Sequence, residues 1–251
     1  MSPRVLRTED WTAPVPPVKR EVLSALPHPD DGRPPLLFVP GLGHAAWSFR
    51  EHWLGHAATR GFPAYAISPR ERGTLRAYVH DVVQAAAGLP RQTVLIGHGF
   101  GALVVAHALA RYPARAAVLS APLLNGWAAV GAALRANPAG ALPGLLGRPV
   151  RLSGPQLGLA DTARVAGVPA RLCRELIMAP DPGEPVGAPP TLVLGSPDDR
   201  VVTRRALDAA AARYGGAPLL FPGMGHDLML APGWEEPIDA VLDWLLKELP
   251  S

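Results

Sequence analysis

Four short loops hold most of the residues whose types and spacing could do chemistry. They are Pro40-Gly41-Leu42-Gly43-His44, Gly97-His98-Gly99-Phe100-Gly101, Gly195-Ser196-Pro197-Asp198-Asp199 and Gly223-Met224-Gly225-His226. Imidazole is the only side chain whose ordinary pKa lies between pH 5 and 8, so His226 is the natural acid/base group of the set. A carboxylate holding one ring N–H would leave the other ring nitrogen basic. Asp198 and Asp199 compete for that role. The spacings Gly195-x-x-Asp198 and Asp-x-x-Val favour Asp198, and Asp199 beside Arg200 is expected to face solvent. A glycine-rich turn that leaves a strand and opens a helix also presents backbone N–H groups to negative charge.

The elements that must position these loops follow from periodicity. Apolar runs at Leu36–Val39, Ala64–Ser68, Thr93–Ile96, Ala116–Leu119, Thr191–Leu194 and Pro218–Phe221 read as strands. Between and after them, 49–58, 75–87, 102–112, 204–214 and 234–246 read as helices. Strand and helix alternating at this spacing predict an α/β fold, a doubly wound and mainly parallel sheet covered on both faces. All four loops then leave carboxyl ends of strands, where an open parallel sheet forms its ligand crevice. Residues 21–26 read as an edge strand. Residues 123–190 break the rhythm and are rich in Leu, Ala, Gly and Pro. A structureless loop of that length is rare, so the segment is read as a helical cap inserted into a core of 1–122 and 191–251. Leu134, Leu172, Leu176 and Ile177 are its expected apolar face.

Composition narrows the functional class. The chain has 251 residues, 48% hydrophobic and 18% charged, which fits a globular protein with one sizeable core. A single cysteine, Cys173, excludes an internal disulfide framework and a Cys-based zinc site. The net charge of +3 is carried by scattered arginines, often beside Asp or Glu, so no nucleic-acid partner is expected. No apolar run has the length of a membrane span, and no signal peptide is read at the start. A cytoplasmic monomer or homodimer acting on a small molecule is the expectation. Phosphate-loop, dinucleotide and zinc-protease motifs are absent, so neither an organic cofactor nor a metal is expected.

From about Leu36 to Leu246 the chain resembles the α/β-hydrolase family, most of all bacterial esterase-like members with a helical cap. Phe38-Val39-Pro40-Gly41 with His44 and Trp47, Gly97-His98-x-x-Gly101, Gly195-x-x-Asp198 and Gly225-His226-Asp227 carry the resemblance. The order elbow, acid, histidine matches as well. The resemblance implies a His226–Asp198 catalytic pair and an oxyanion hole from the backbone N–H groups of Leu42 and Phe100. His44 and Trp127 become candidates for a substrate pocket, although His44 could equally pin the oxyanion loop. His98 is expected to be buried beneath the turn.

One position departs from the pattern. Where the nucleophile elbow carries serine, this chain has Gly99, which cannot be acylated. The expectation is therefore a non-hydrolytic His–Asp acid/base catalyst, a cyclase, lyase or isomerase of bacterial specialised metabolism. Its substrate would be a small apolar oxygenated metabolite. Two other readings stay open: an ester hydrolase in which glycine was introduced at 99, and a ligand-binding pseudo-hydrolase without catalysis.

Overall fold

The computed structural model describes residues 12–124, 126–145, 155, 159, 174–175 and 177–249. Seven strands form one sheet in the order β1-β3-β2-β4-β5-β6-β7. They are β1 (Val22–Ala25), β2 (Leu36–Val39), β3 (Ala64–Ile67), β4 (Val94–His98), β5 (Ala116–Ser120), β6 (Thr191–Gly195) and β7 (Leu219–Leu220). Every pairing is parallel except β1 with β3. Strand β1 is the edge, and its alternating exposure fits a strand covered on one face only. The three central strands β2, β4 and β5 are buried at every position, as continuous apolar runs between two helical layers must be.

The helices are α1 (Trp47–Arg50), α2 (Trp53–Thr59), α3 (Leu75–Ala87), α4 (Phe100–Leu109), α5 (Gly126–Ala136), α6 (Pro138–Leu145), α7 (Arg204–Arg213) and α8 (Glu235–Glu248). Thr74 and Thr203 cap α3 and α7, each hydroxyl accepting from the N–H three residues on. On one face Val79, Val82 and Val83 of α3 meet Leu103 and Val104 of α4 over Leu37, Leu95 and Leu119. On the other, Phe49, Trp53 and Leu54 meet Ile238, Val241 and Leu242 of α8 over Phe38, Ile96 and Val118. The single helix expected over 49–58 is two helices broken at His52. Its ring stacks on Trp234 at 4.4 Å, and the Trp53 indole N–H donates to the Trp234 carbonyl at 3.2 Å. A tertiary contact, not a proline or glycine, sets that break.

Register brings the strand ends level. Val39 pairs with Gly97, His98 with Ser120, and Ser120 with Leu194. Beyond β5, the described part of 123–190 opens with α5 and α6. Leu123, Ala132 and Ala141 pack there against Val201, Val202 and Leu207, beside the carboxyl end of β6. At the far end of the segment the Glu175 carboxylate accepts the Leu75 N–H at 2.8 Å, joining it to the start of α3. Leu134 packs on the α5–α6 cluster, whereas Leu172 and Leu176 lie outside the described residues. Among the described residues no helix is long and apolar enough to cross a membrane.

Candidate active site

The turn between β4 and α4 has the backbone of a nucleophile elbow. Gly99 takes φ +54° and ψ −116°, a conformation that L side chains adopt only with strain. Its N–H donates to the Ser120 carbonyl at 2.9 Å, and its own carbonyl accepts from Leu123 at 3.0 Å. Gly101 is required by close approach: a Cβ there would lie 2.2 Å from the Val39 carbonyl oxygen. Phe100 opens α4, so its N–H belongs to the first turn, which has no intrahelical acceptor.

Above this turn stands His226, which is buried. Its Nδ1 lies 2.7 Å from Asp199 Oδ2, a short charge-assisted contact. With Nδ1 donating its proton to the carboxylate, Nε2 is left as the base. That nitrogen reaches over Gly99, and a Cβ placed on residue 99 would meet it at 3.0 Å. The imidazole therefore crowds the space that a serine side chain would need.

The partner is Asp199 and not Asp198, which corrects the expectation from spacing. After β6 the chain turns at Ser196, whose hydroxyl donates to the Met224 carbonyl at 2.7 Å and accepts from Asp198 N–H at 3.1 Å. That turn sends Asp198 outward, where its carboxylate accepts the Gly223 N–H at 2.7 Å. Asp199 turns inward. Its Oδ1 accepts the Val201 and Val202 N–H groups at 2.6 and 3.1 Å, leaving Oδ2 for the imidazole. Val201 and Val202, whose N–H groups Asp199 accepts, are buried with it.

Electrostatics follow from burial and these contacts. Burial alone would lower the His226 pKa, but the charge and hydrogen bond of Asp199, helped by Asp227, raise it above the ordinary value of 6.5. Burial pushes the Asp199 carboxyl upward, but His226 and the two valine N–H groups hold it below the ordinary carboxylate range.

A second buried cluster adjoins the first, and Asp227 is its centre. Asp227 Oδ2 lies 3.2 Å from His44 Nε2, and Oδ1 lies 3.6 Å from His98 Nε2. His98 Nε2 also meets the His226 carbonyl at 3.2 Å. Burial, followed by the neighbouring His226, brings the His98 pKa down to about 3, so its ring is neutral. Burial favours a protonated Asp227, yet above all its hydrogen bond with His44 holds its carboxyl far below the usual range. His44 was a pocket candidate; its side chain is only 1% exposed and is stacked on Trp47. Trp127 is 63% exposed at the start of α5.

His44, His98 and Asp227 are the one trio among the described residues whose ligand atoms lie close enough to share a metal. The hydrogen bonding argues against that use. His98 spends its Nε2 proton on the His226 carbonyl, so its bare nitrogen is Nδ1, which faces Gly41 instead of the carboxylate.

Comparison with known proteins places the fold. Residues 36–244 match the model of the alpha/beta hydrolase family. The chain belongs to this family. Over 99 residues it is 34% identical to a probable esterase, PIR7A, of Oryza sativa, in both the indica and japonica subspecies. The match spans 35% of this chain and 38% of the rice protein. A monoacylglycerol lipase of Paleococcus ferrophilus superposes with TM-score 0.63 at 19% identity, covering 92% of this chain and 100% of the lipase. An esterase from Rhodococcus sp. does so with TM-score 0.64 at 20% identity, covering 91% and 95%. These structural likenesses, at such low identity, speak to fold alone.

Proposed function

We propose that this alpha/beta hydrolase is a serine-less acid/base enzyme acting on a small apolar carbonyl compound. His226 takes or gives the proton, Asp199 holds its tautomer, and the Leu42 and Phe100 N–H groups stabilise the developing oxyanion. Helices α5 and α6, packed on Val201, Val202 and Leu207 just beyond Asp199, are taken as part of its cover. Cyclisation, elimination and isomerisation are the reaction classes that such equipment serves without an acyl-enzyme.

The observation that carries this reading is the position of His226 Nε2 over Gly99. A base with no side chain between it and the turn addresses a substrate proton directly. Ester hydrolysis through a His226-activated water is the second reading, favoured by the esterase-like relatives. In that reading the water would be activated by His226 Nε2 beside Gly99.

Deuterium uptake separates the readings without the natural substrate. A panel of small cyclic ketones in D2O is followed by mass spectrometry, beside p-nitrophenyl acetate and butyrate. Expected are uptake at carbons next to the carbonyl that depends on His226, weak ester turnover, and no adduct with a fluorophosphonate. Rapid ester turnover without His226-dependent uptake would overturn the acid/base reading.

A further inference from the structure

Consecutive residues of one loop face different parts of the site. His226 faces Asp199 and Gly99, while Asp227 faces His44 on the loop after β2 and His98 at the end of β4. A single dipeptide thus touches the loops after β2 and β6 and the end of β4. His44 carries the contact onward: its Nδ1 lies 3.2 Å from the carbonyl oxygen of Leu42, and since that oxygen and the Asp227 carboxylate both accept, the two contacts are hydrogen bonds together only when both ring nitrogens carry a proton. We propose that Asp227 is a positioning residue that, through His44, holds Leu42 at a fixed place relative to His226. This rests on the reading of Leu42 as an oxyanion donor.

Three observations support it. Both ends of the strap are dry: the side chains of His44 and Asp227 are 1% and 6% exposed, so water does not compete for their contact. Alternatives for holding the loop are few, since the chain from Gly41 to His44 turns with Gly43 at φ +79° and one backbone bond, His44 N–H to Gly41 O at 3.2 Å. Finally, a buried carboxylate is seldom the most stabilising choice for such a place, because its desolvation offsets much of its attraction. A packed apolar side chain would hold the fold as well but would not define the height of Leu42 by hydrogen bonds. An error of about 1 Å in such a donor is costly for catalysis.

The test reads backbone mobility, so it stands whether or not the acid/base reading does. Backbone ¹⁵N order parameters are measured for wild type, Asp227→Asn, His44→Asn and the double variant. Values for Gly41–His44 are expected to fall from the rigid range, about 0.85, to below about 0.6 in either single variant, with no further fall in the double. Those of β4 and β5 stay unchanged. Ketone deuterium uptake, where present in wild type, falls at least tenfold in the same variants. A loop as rigid as wild type in both single variants would overturn the proposal, as would an equal loosening of loop and sheet. Should Asp227→Asn fail to fold, His44→Asn removes the strap from its other end and decides the matter.

Discussion

Asp199 and Asp227 both keep a charged carboxylate in the interior beside histidine, but on different terms. Asp199 spends one oxygen on two backbone N–H groups and the other on a single ring at 2.7 Å. Asp227 is shared between two rings at 3.2 and 3.6 Å. The short contact fixes one proton and orients one base. The longer, divided contacts fix no single proton, and they link segments that are 183 and 129 positions distant in the chain. Buried charge serves chemistry in the first case and placement in the second, although both use the same residue types.

The contrast breaks most visibly at the base. In His226→Ala, ketone deuterium uptake is expected to drop to the uncatalysed level, a loss on the order of 10²–10⁴. Uptake equal to wild type would remove His226 from the reaction.

The carboxylates come next. Asp199→Asn is expected to slow uptake by roughly 10²-fold or more, because an amide no longer stabilises the charged ring or holds its tautomer. In wild type the neutral base is lost as pH falls through a value above 6.5, since the His226 pKa is raised. In Asp199→Asn that acid limb moves down, because burial then acts with less opposition. Asp198→Asn leaves both rate and pH midpoint within about twofold of wild type. A pH–rate series on the three proteins checks the assignment, and equal effects of Asp198 and Asp199 would erase it.

A smaller effect concerns acid stability. His98 is neutral when folded down to about pH 3, whereas its ordinary value is 6.5. Between those values the unfolded chain binds the extra proton, so stability falls as pH falls, by about 1.4 kcal/mol per unit at most. His226 works in the opposite sense: its contribution is full below 6.5 and is lost as pH rises through its raised value. Urea midpoints from pH 7 to 4 should therefore decline less steeply in His98→Gln than in wild type. Parallel slopes would show that His98 does not titrate in this way.

The smallest effect expected is at the elbow. Gly99→Ala places a Cβ at φ +54° and 3.0 Å from His226 Nε2. Strain of about 1–2 kcal/mol is expected, or roughly 2–8 °C in Tm for a chain of this size. No loss of Tm would mean that the imidazole yields freely, and a serine at 99 would then be equally easy to seat.

Periodicity alone carried much of the fold. Leu36–Val39 is the same strand in sequence and structure, and the parallel core strands follow from runs that are apolar at every position. The glycine-rich turn and the histidine loop were also legible, because they are local features of residue type. Choosing between Asp198 and Asp199 was not. One residue of offset in a turn reverses which carboxylate faces inward, and only the Ser196 turn and the burial of Val201 and Val202 decide it. The break of the 49–58 helix likewise depends on Trp234, more than 180 positions away. Asp227 gave no signal as a single residue, since its meaning lies in two distant histidines. Sequence by itself thus determined the layers and the order of the loops, which are properties of neighbouring residues. Tertiary structure decided which carboxylate meets which imidazole, because hydrogen bonds of about 3 Å between remote loops depend on strand register and turn direction that no local pattern contains.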